Sequence, residues 1–128
     1  MRIGIDVREF KKGAYTGLRT ILFDFLSNIE KYSNGNVFVF FGNQNTDFAD
    51  IPREGKKVCI RERNTFFWDQ IKLPFMLKRE KIDVFFSPYI KTPLYRGCKH
   101  VNTVCDVIPL MVPKYNGILA LLEKIHFF

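Results

Sequence analysis

Val37 to Phe41 is five apolar residues in a row, V-F-V-F-F, with Asn-Gly signals on either side: Asn34-Gly35-Asn36 before it and Gly42-Asn43 after it. A run this short cannot make a helix, and its lack of alternation means both faces are covered, which is the mark of a buried strand in a parallel sheet. A parallel strand needs crossover connections. The segments around it must therefore supply helices on both faces of a sheet.

They do so in order along the chain. Arg2 to Val7 (R-I-G-I-D-V) reads as a strand, followed by a polar loop with Gly13 and Gly17. From Thr16 to Tyr32 the apolar residues Leu18, Ile21, Leu22, Phe25, Leu26 and Ile29 form one stripe at helical spacing. Ser33 to Asn36 ends that helix by turn chemistry. After Val37 to Phe41 comes a polar loop from Asn43 to Gly55, then a short edge-like strand from Lys57 to Arg61. Thr65 to Lys81 is helical in pattern, with a break expected where Pro74 removes a backbone donor and opens a second piece. Ile82 to Ser87 is a strand stopped by Pro88, and Tyr89 to Lys99 is a loop. His100 to Cys105 is a last strand running into a turn with Asp106, and Ile118, Leu119, Leu121, Leu122 and Ile125 mark a final helix. The predicted fold is a single α/β domain over residues 1–128, a Rossmann-like, doubly wound parallel sheet of about five strands with flanking helices.

In such sheets ligands bind at the carboxyl ends of the strands, where strand order reverses. Asp6 with the Gly13 to Gly17 loop, Ser87-Pro88-Tyr89 and Cys105-Asp106 converge there. Asp106, a carboxylate at a strand end, is the first candidate for accepting a hydrogen bond or proton from a hydroxyl, with capping of its own turn as the structural alternative. Asp6 is expected to be a buried anchor for the glycine loop. Gly17 precedes a helix and could let backbone amides meet a phosphate, or be a plain loop glycine. Arg19 has two roles open, a ligand for an acceptor phosphate or a surface charge in the first helical turn. Trp68 reads as a core anchor. Cys105 as a nucleophile lacks a base, because His100 points to the opposite face of the strand.

Composition limits the remaining classes. The net charge of +7, from 20 basic and 13 acidic residues, suits phosphorylated substrates or an anionic membrane surface. The basic residues are not interleaved with aromatics in a stacking pattern, so nucleic acid is not an expected partner. No apolar run approaches the ~20 residues of a membrane span, and no signal peptide opens the chain. Three cysteines without a paired framework fit a reducing compartment, so a cytoplasmic protein is expected, either free or peripheral on the inner face of the membrane. No metal or other cofactor is expected, and no G-x-G-x-x-G fingerprint is present.

Several segments in order resemble the N-terminal domain of the family 4 glycosyltransferases, retaining enzymes of GT-B architecture. The start G-I-D-V-R is similar to the family's G-I-D-A-R, and Thr16-Gly17-Leu18 to the T-G-I-G of its first glycine loop. Trp68-Asp69-Gln70 with Leu73-Pro74 resembles its W-E-Q and L-P pattern. Asp83 to Pro88 resembles D-V-F-H-S-P, and Thr103 to Leu110 resembles T-V-H-D-L-I-P-L. The resemblance implies the acceptor-side half of an enzyme that moves a sugar from a nucleotide-sugar to a saccharide or lipid-linked acceptor, as in polysaccharide biosynthesis. It implies candidate catalytic positions at Asp106 and Cys105, and substrate contacts at Gly17, Arg19, Ser87 and Tyr89. The donor would be bound by a C-terminal domain, so the 128-residue chain alone is expected to be inactive and to work with a second subunit, a second copy or its other half. Two positions depart from the family. Arg19 stands at the second loop glycine, and Cys105 at a histidine that contacts the transferred sugar, where a thiol is the weaker donor. The alternative reading is a non-catalytic Rossmann-like module that binds a partner protein or an anionic surface.

Overall fold

A computed structural model describes residues 1–29, 31, 33–95 and 97–104. Five parallel strands form one sheet: β1 (Arg2–Asp6), β2 (Val37–Gly42), β3 (Lys56–Cys59), β4 (Val84–Ser87) and β5 (Lys99–Asn102), in the order β3-β2-β1-β4-β5. The chain winds outward from β1 through β2 to β3, then returns to the other side of β1 for β4 and β5. The strand order therefore reverses between β1 and β4, which makes the sheet doubly wound and Rossmann-like, as predicted.

Alternation along β2 shows how both faces are filled. Phe38 and Phe40 point to one side, where Ile5, Val7, Phe10 and Ile51 meet Leu22 and Leu26 of helix α1 (Gly17–Ile29). Val39 and Phe41 point to the other, against Val58, Phe85, Trp68, Leu73 and Leu77. Phe40 and Phe41 are fully buried, and beyond its exposed first residue, Val37, this strand has no solvent face. Gly4 of β1 lets the second layer close tightly. A Cβ there would come within 2.9 Å of the Phe41 ring and 3.2 Å of Phe85.

The second face is covered by a helical run in three parts: α2 (Thr65–Phe67), a π-helical turn (Trp68–Lys72) and α3 (Leu73–Arg79). Asn64 caps its start, its side chain accepting from the amides of Phe66 and Phe67. The break expected at Pro74 does not occur. The amide of Leu73 bonds the carbonyl of Trp68, five residues back, and this wider turn accommodates a proline ring that would collide with a carbonyl in regular helix. Pro74 lies in the first turn of α3, so the further helical piece expected to open at this proline is present although the chain stays helical through it. The π-turn also turns two consecutive residues, Trp68 and Asp69, inward.

Strand limits moved by a few residues. β3 ends at Cys59, before the predicted Arg61, and β4 begins at Val84, after the predicted Ile82. Lys81 has a left-handed φ of 52°, and Asp83 is held by the amide of Arg2, so the chain is still turning there. β5 is Lys99–Asn102, although the amide of Thr103 still bonds Ser87. Cys105, Asp106 and the helix expected over residues 118–125 lie outside the described residues.

Candidate functional site at the switch between β1 and β4

The carboxyl ends of β1 and β4 lie side by side, with the run after β1 crossing in front of them. Asp6, the last residue of β1, is 1% exposed. Its carboxylate accepts from the Arg8 amide at 3.0 Å, a turn that Asp forms readily, and from the Arg8 guanidinium at 2.7–3.1 Å. Arg8 also reaches Asp69 of the π-turn at 2.9 Å. Its guanidinium stacks on Trp68, 3.6 Å from the ring centroid, and stands 5.4 Å from that of Tyr89. One cation thus joins β1, the π-turn and the loop after β4.

The electrostatics reflect this crowding. Burial works against the charge on Arg8, but the two carboxylates outweigh it and its pKa is raised. Burial raises the pKa of Asp69, while Arg8 pulls it back. Asp6 is a buried anchor, as the sequence suggested, but what it holds is Arg8. The guanidinium is spent on Asp6, Asp69 and Trp68, so it positions the site rather than offering a free charge.

A second chain of hydrogen bonds ties the glycine loop to β4. Glu9, 7% exposed, accepts from the Tyr89 hydroxyl at 2.7 Å and from the Thr16 hydroxyl at 2.5 Å. Thr16 in turn accepts from the amide of Arg19 at 3.1 Å, capping α1. Burial, with Asp6 and Glu9 adding to it, pushes the Tyr89 phenol far above its ordinary pKa. Tyr89→Phe would leave one oxygen of a buried carboxylate without its donor. It is expected to cost about 1–3 kcal/mol, read as a lower urea midpoint at neutral pH. The sign with pH is fixed by the raised folded value. The stabilisation is complete below the ordinary phenol pKa of ~10 and is lost as pH rises further. Absorbance titration should show one of the five tyrosines ionising only as the protein unfolds.

The other expected site residues shape the loops around this edge. Gly17 opens α1 at the surface, and a Cβ there would meet nothing within 4 Å, so packing does not require glycine at this position. Arg19 is not a surface charge. It is 7% exposed, its guanidinium pairs with Asp50 and donates to the Ala14 carbonyl at 2.5 Å, and Tyr15 lies against it at 4.2 Å. It therefore closes the glycine loop onto the loop after β2. Ser87 is 1% exposed, its hydroxyl accepting from the Tyr89 amide at 3.3 Å and donating to the Lys91 carbonyl at 3.4 Å. These bonds shape the turn that carries Tyr89. Gln70 fixes the next loop through Thr92 and Leu94.

Arg8, Glu9 and Asp69 were not singled out as site residues from the sequence. Asp6 and Arg8 at i and i+2 share a side of an extended chain, and that spacing was the available signal. Among the described residues no group of three His, Cys, Asp or Glu side chains could hold a metal ion, and no helix is long and apolar enough to cross a membrane. The fold and this edge define a Rossmann-like α/β domain with a polar network at its switch point. No protein-family model, curated protein or solved structure matches the chain.

Proposed function

We propose that this domain is the acceptor-side half of a GT-B glycosyltransferase, receiving a saccharide or lipid-linked acceptor at the β1–β4 switch while a partner domain or subunit carries the nucleotide-sugar. The observation that supports the reading is the meeting of motif segments far apart in sequence. Arg8 of the G-I-D-V-R start, held by Asp6, touches Trp68 and Asp69 of W-D-Q. Thr16 of the glycine loop and the Ser87-Pro88-Tyr89 turn meet through Glu9. These are the places where an open α/β sheet receives its ligand.

In this reading Arg8, Glu9 and Asp69 are positioning residues. They hold the glycine loop against the β4 turn, so that the amides near Gly17 and the Tyr89 ring face the acceptor. Retaining transfer of this kind needs no side-chain nucleophile from this half. Asp106 keeps its proposed role as acceptor of a sugar hydroxyl, with Cys105 beside it.

Trp68 is the one tryptophan of the chain and lies under Arg8, so its emission reports on the site. Saccharide or lipid-linked saccharide acceptors should shift that emission, UDP- and GDP-sugars should not, and the 128-residue chain should transfer no sugar by itself. Sugar transfer by the chain alone, a response to the nucleotide-sugars instead of the acceptors, or a response to neither would each overturn the proposal.

A further inference from the structure

Away from the switch point, two clefts meet at the edge of the sheet. One, of about 420 Å³, is lined by Gln44, Arg61, Glu62 and Arg63, at the carboxyl ends of β2 and β3. The other, of about 580 Å³, is lined by Cys59, Ile60, Arg61, Ile71, Lys72, Phe75 and Met76. Arg61 belongs to both. Glu62 is committed elsewhere, accepting from the amides of Arg63 and Asn64 and pairing with Lys72 at 3.1 Å. The Arg61 and Arg63 guanidiniums, both exposed, make no hydrogen bond or ion pair among the described residues.

The apolar side of this pair of clefts is exposed to an unusual degree. Phe67, Ile71 and Phe75 recur every fourth residue along the helical run and are 48%, 53% and 65% exposed. Large apolar side chains in a contiguous exposed row mark a surface that meets something. The charge beside them says what. A second copy of this chain would bring a like-charged face, since a two-fold contact sets each patch against itself, and Lys56 and Lys57 on β3 discourage edge-to-edge pairing. An occupant must instead combine phosphate with hydrocarbon.

We infer that this face docks on an anionic phospholipid bilayer, with lipid phosphates taken between Arg61 and Arg63 and Phe67, Ile71 and Phe75 entering the acyl boundary. Free arginines suit phosphate through paired donors, and an apolar helical face flanked by cations lies in the plane of such an interface. The inference is independent of any sugar chemistry.

The test is co-sedimentation of the 128-residue chain with vesicles of phosphatidylglycerol and phosphatidylcholine, against phosphatidylcholine alone, at low and high salt. Binding is expected to need the anionic lipid and to weaken with salt. Arg61→Gln with Arg63→Gln should weaken it about 30-fold, at the usual contribution of a basic residue near a charged surface. Ile71→Ser with Phe75→Ser should weaken it at least tenfold, while Lys11→Gln with Lys12→Gln, in the loop after β1 and outside both cleft linings, should change it less than threefold. All six positions are exposed, and circular dichroism would verify folding. The inference fails if vesicles are not bound at low salt, or if the lysine pair matters as much as the arginine pair. It also fails if the serine variant binds normally, if free phosphate competes as well as vesicles do, or if this face instead holds a dimer or another protein.

Discussion

Replacing Arg8 with methionine is expected to lower folding stability by about 3–5 kcal/mol, the usual result of removing one partner from a buried ionic cluster. Asp6 and Asp69 would be left as two carboxylates facing each other with little water, since Asp6 is 1% and Asp69 7% exposed. The methionine keeps the aliphatic stem of Arg8 but not the guanidinium that stacks on Trp68, so the loss includes that contact along with the charge. Urea unfolding would show a lower midpoint with an unchanged slope. Asp69→Asn in the same chain should recover part of the loss, because one uncompensated charge is gone. A loss under about 1 kcal/mol would mean that water or another cation serves the carboxylates.

The pH dependence of that variant is also fixed in sign. Burial raises the folded pKa of Asp69 and Arg8 opposes it, so without Arg8 the folded value rises further. A raised folded value makes the contribution complete below the ordinary carboxylate pKa of ~3.9 and progressively lost as pH climbs through the folded value. The deficit of the methionine variant relative to the parent should therefore shrink in mild acid and widen toward neutrality. A deficit constant between pH 5 and pH 8 (about one unit beyond the ordinary carboxylate range at its lower end) would contradict this account.

The second large effect lies beneath the site. Phe41→Ala is expected to cost about 3–5 kcal/mol, because the ring is fully buried and packs edge-on against Phe85 with centroids 6.2 Å apart. Gly4→Ala should cost about 1–3 kcal/mol by overpacking the same spot, where the new methyl would meet the Phe41 ring at 2.9 Å. The two changes share one volume, so the double variant should lose less than the sum of the singles. Strict additivity in urea unfolding would show that the glycine is needed for another reason.

These contrasts explain what could be read from the sequence. β2 was legible because a strand buried on both faces writes its environment into every residue, and Val37 to Phe41 needed no partner to be recognised. Helix α1 was legible for a similar reason, through Leu22 and Leu26 at one-turn spacing. The ionic network was not. Whether Arg8 finds Asp69, or Arg19 finds Asp50, depends on which loops the finished sheet brings together, and a charged residue looks the same in sequence whether solvated or paired. Arg19 looked like a surface cation for this reason, and was buried by a loop arriving after β2. The strand ends shifted because ladder hydrogen bonds, set by neighbours, decide where pairing stops. Pro74 misled differently. The rule that proline interrupts a helix is sound, but a wider turn can absorb it.

That wider turn has a further consequence. In regular helix each residue advances the side-chain direction by about 100°, so residue count sets the angle between α2 on one side of the π-turn and α3 on the other. Asp69 serves the polar edge, Trp68 serves both that edge and the core, Leu73 and Leu77 serve the core, and these duties are met by one rod with an extra residue in its winding. Deleting a single residue from that turn would leave every side chain chemically intact and still point the two halves at the wrong clients. The alignment of this edge is thus stored as a length, and a shortened variant would be misaligned without any change in its chemistry.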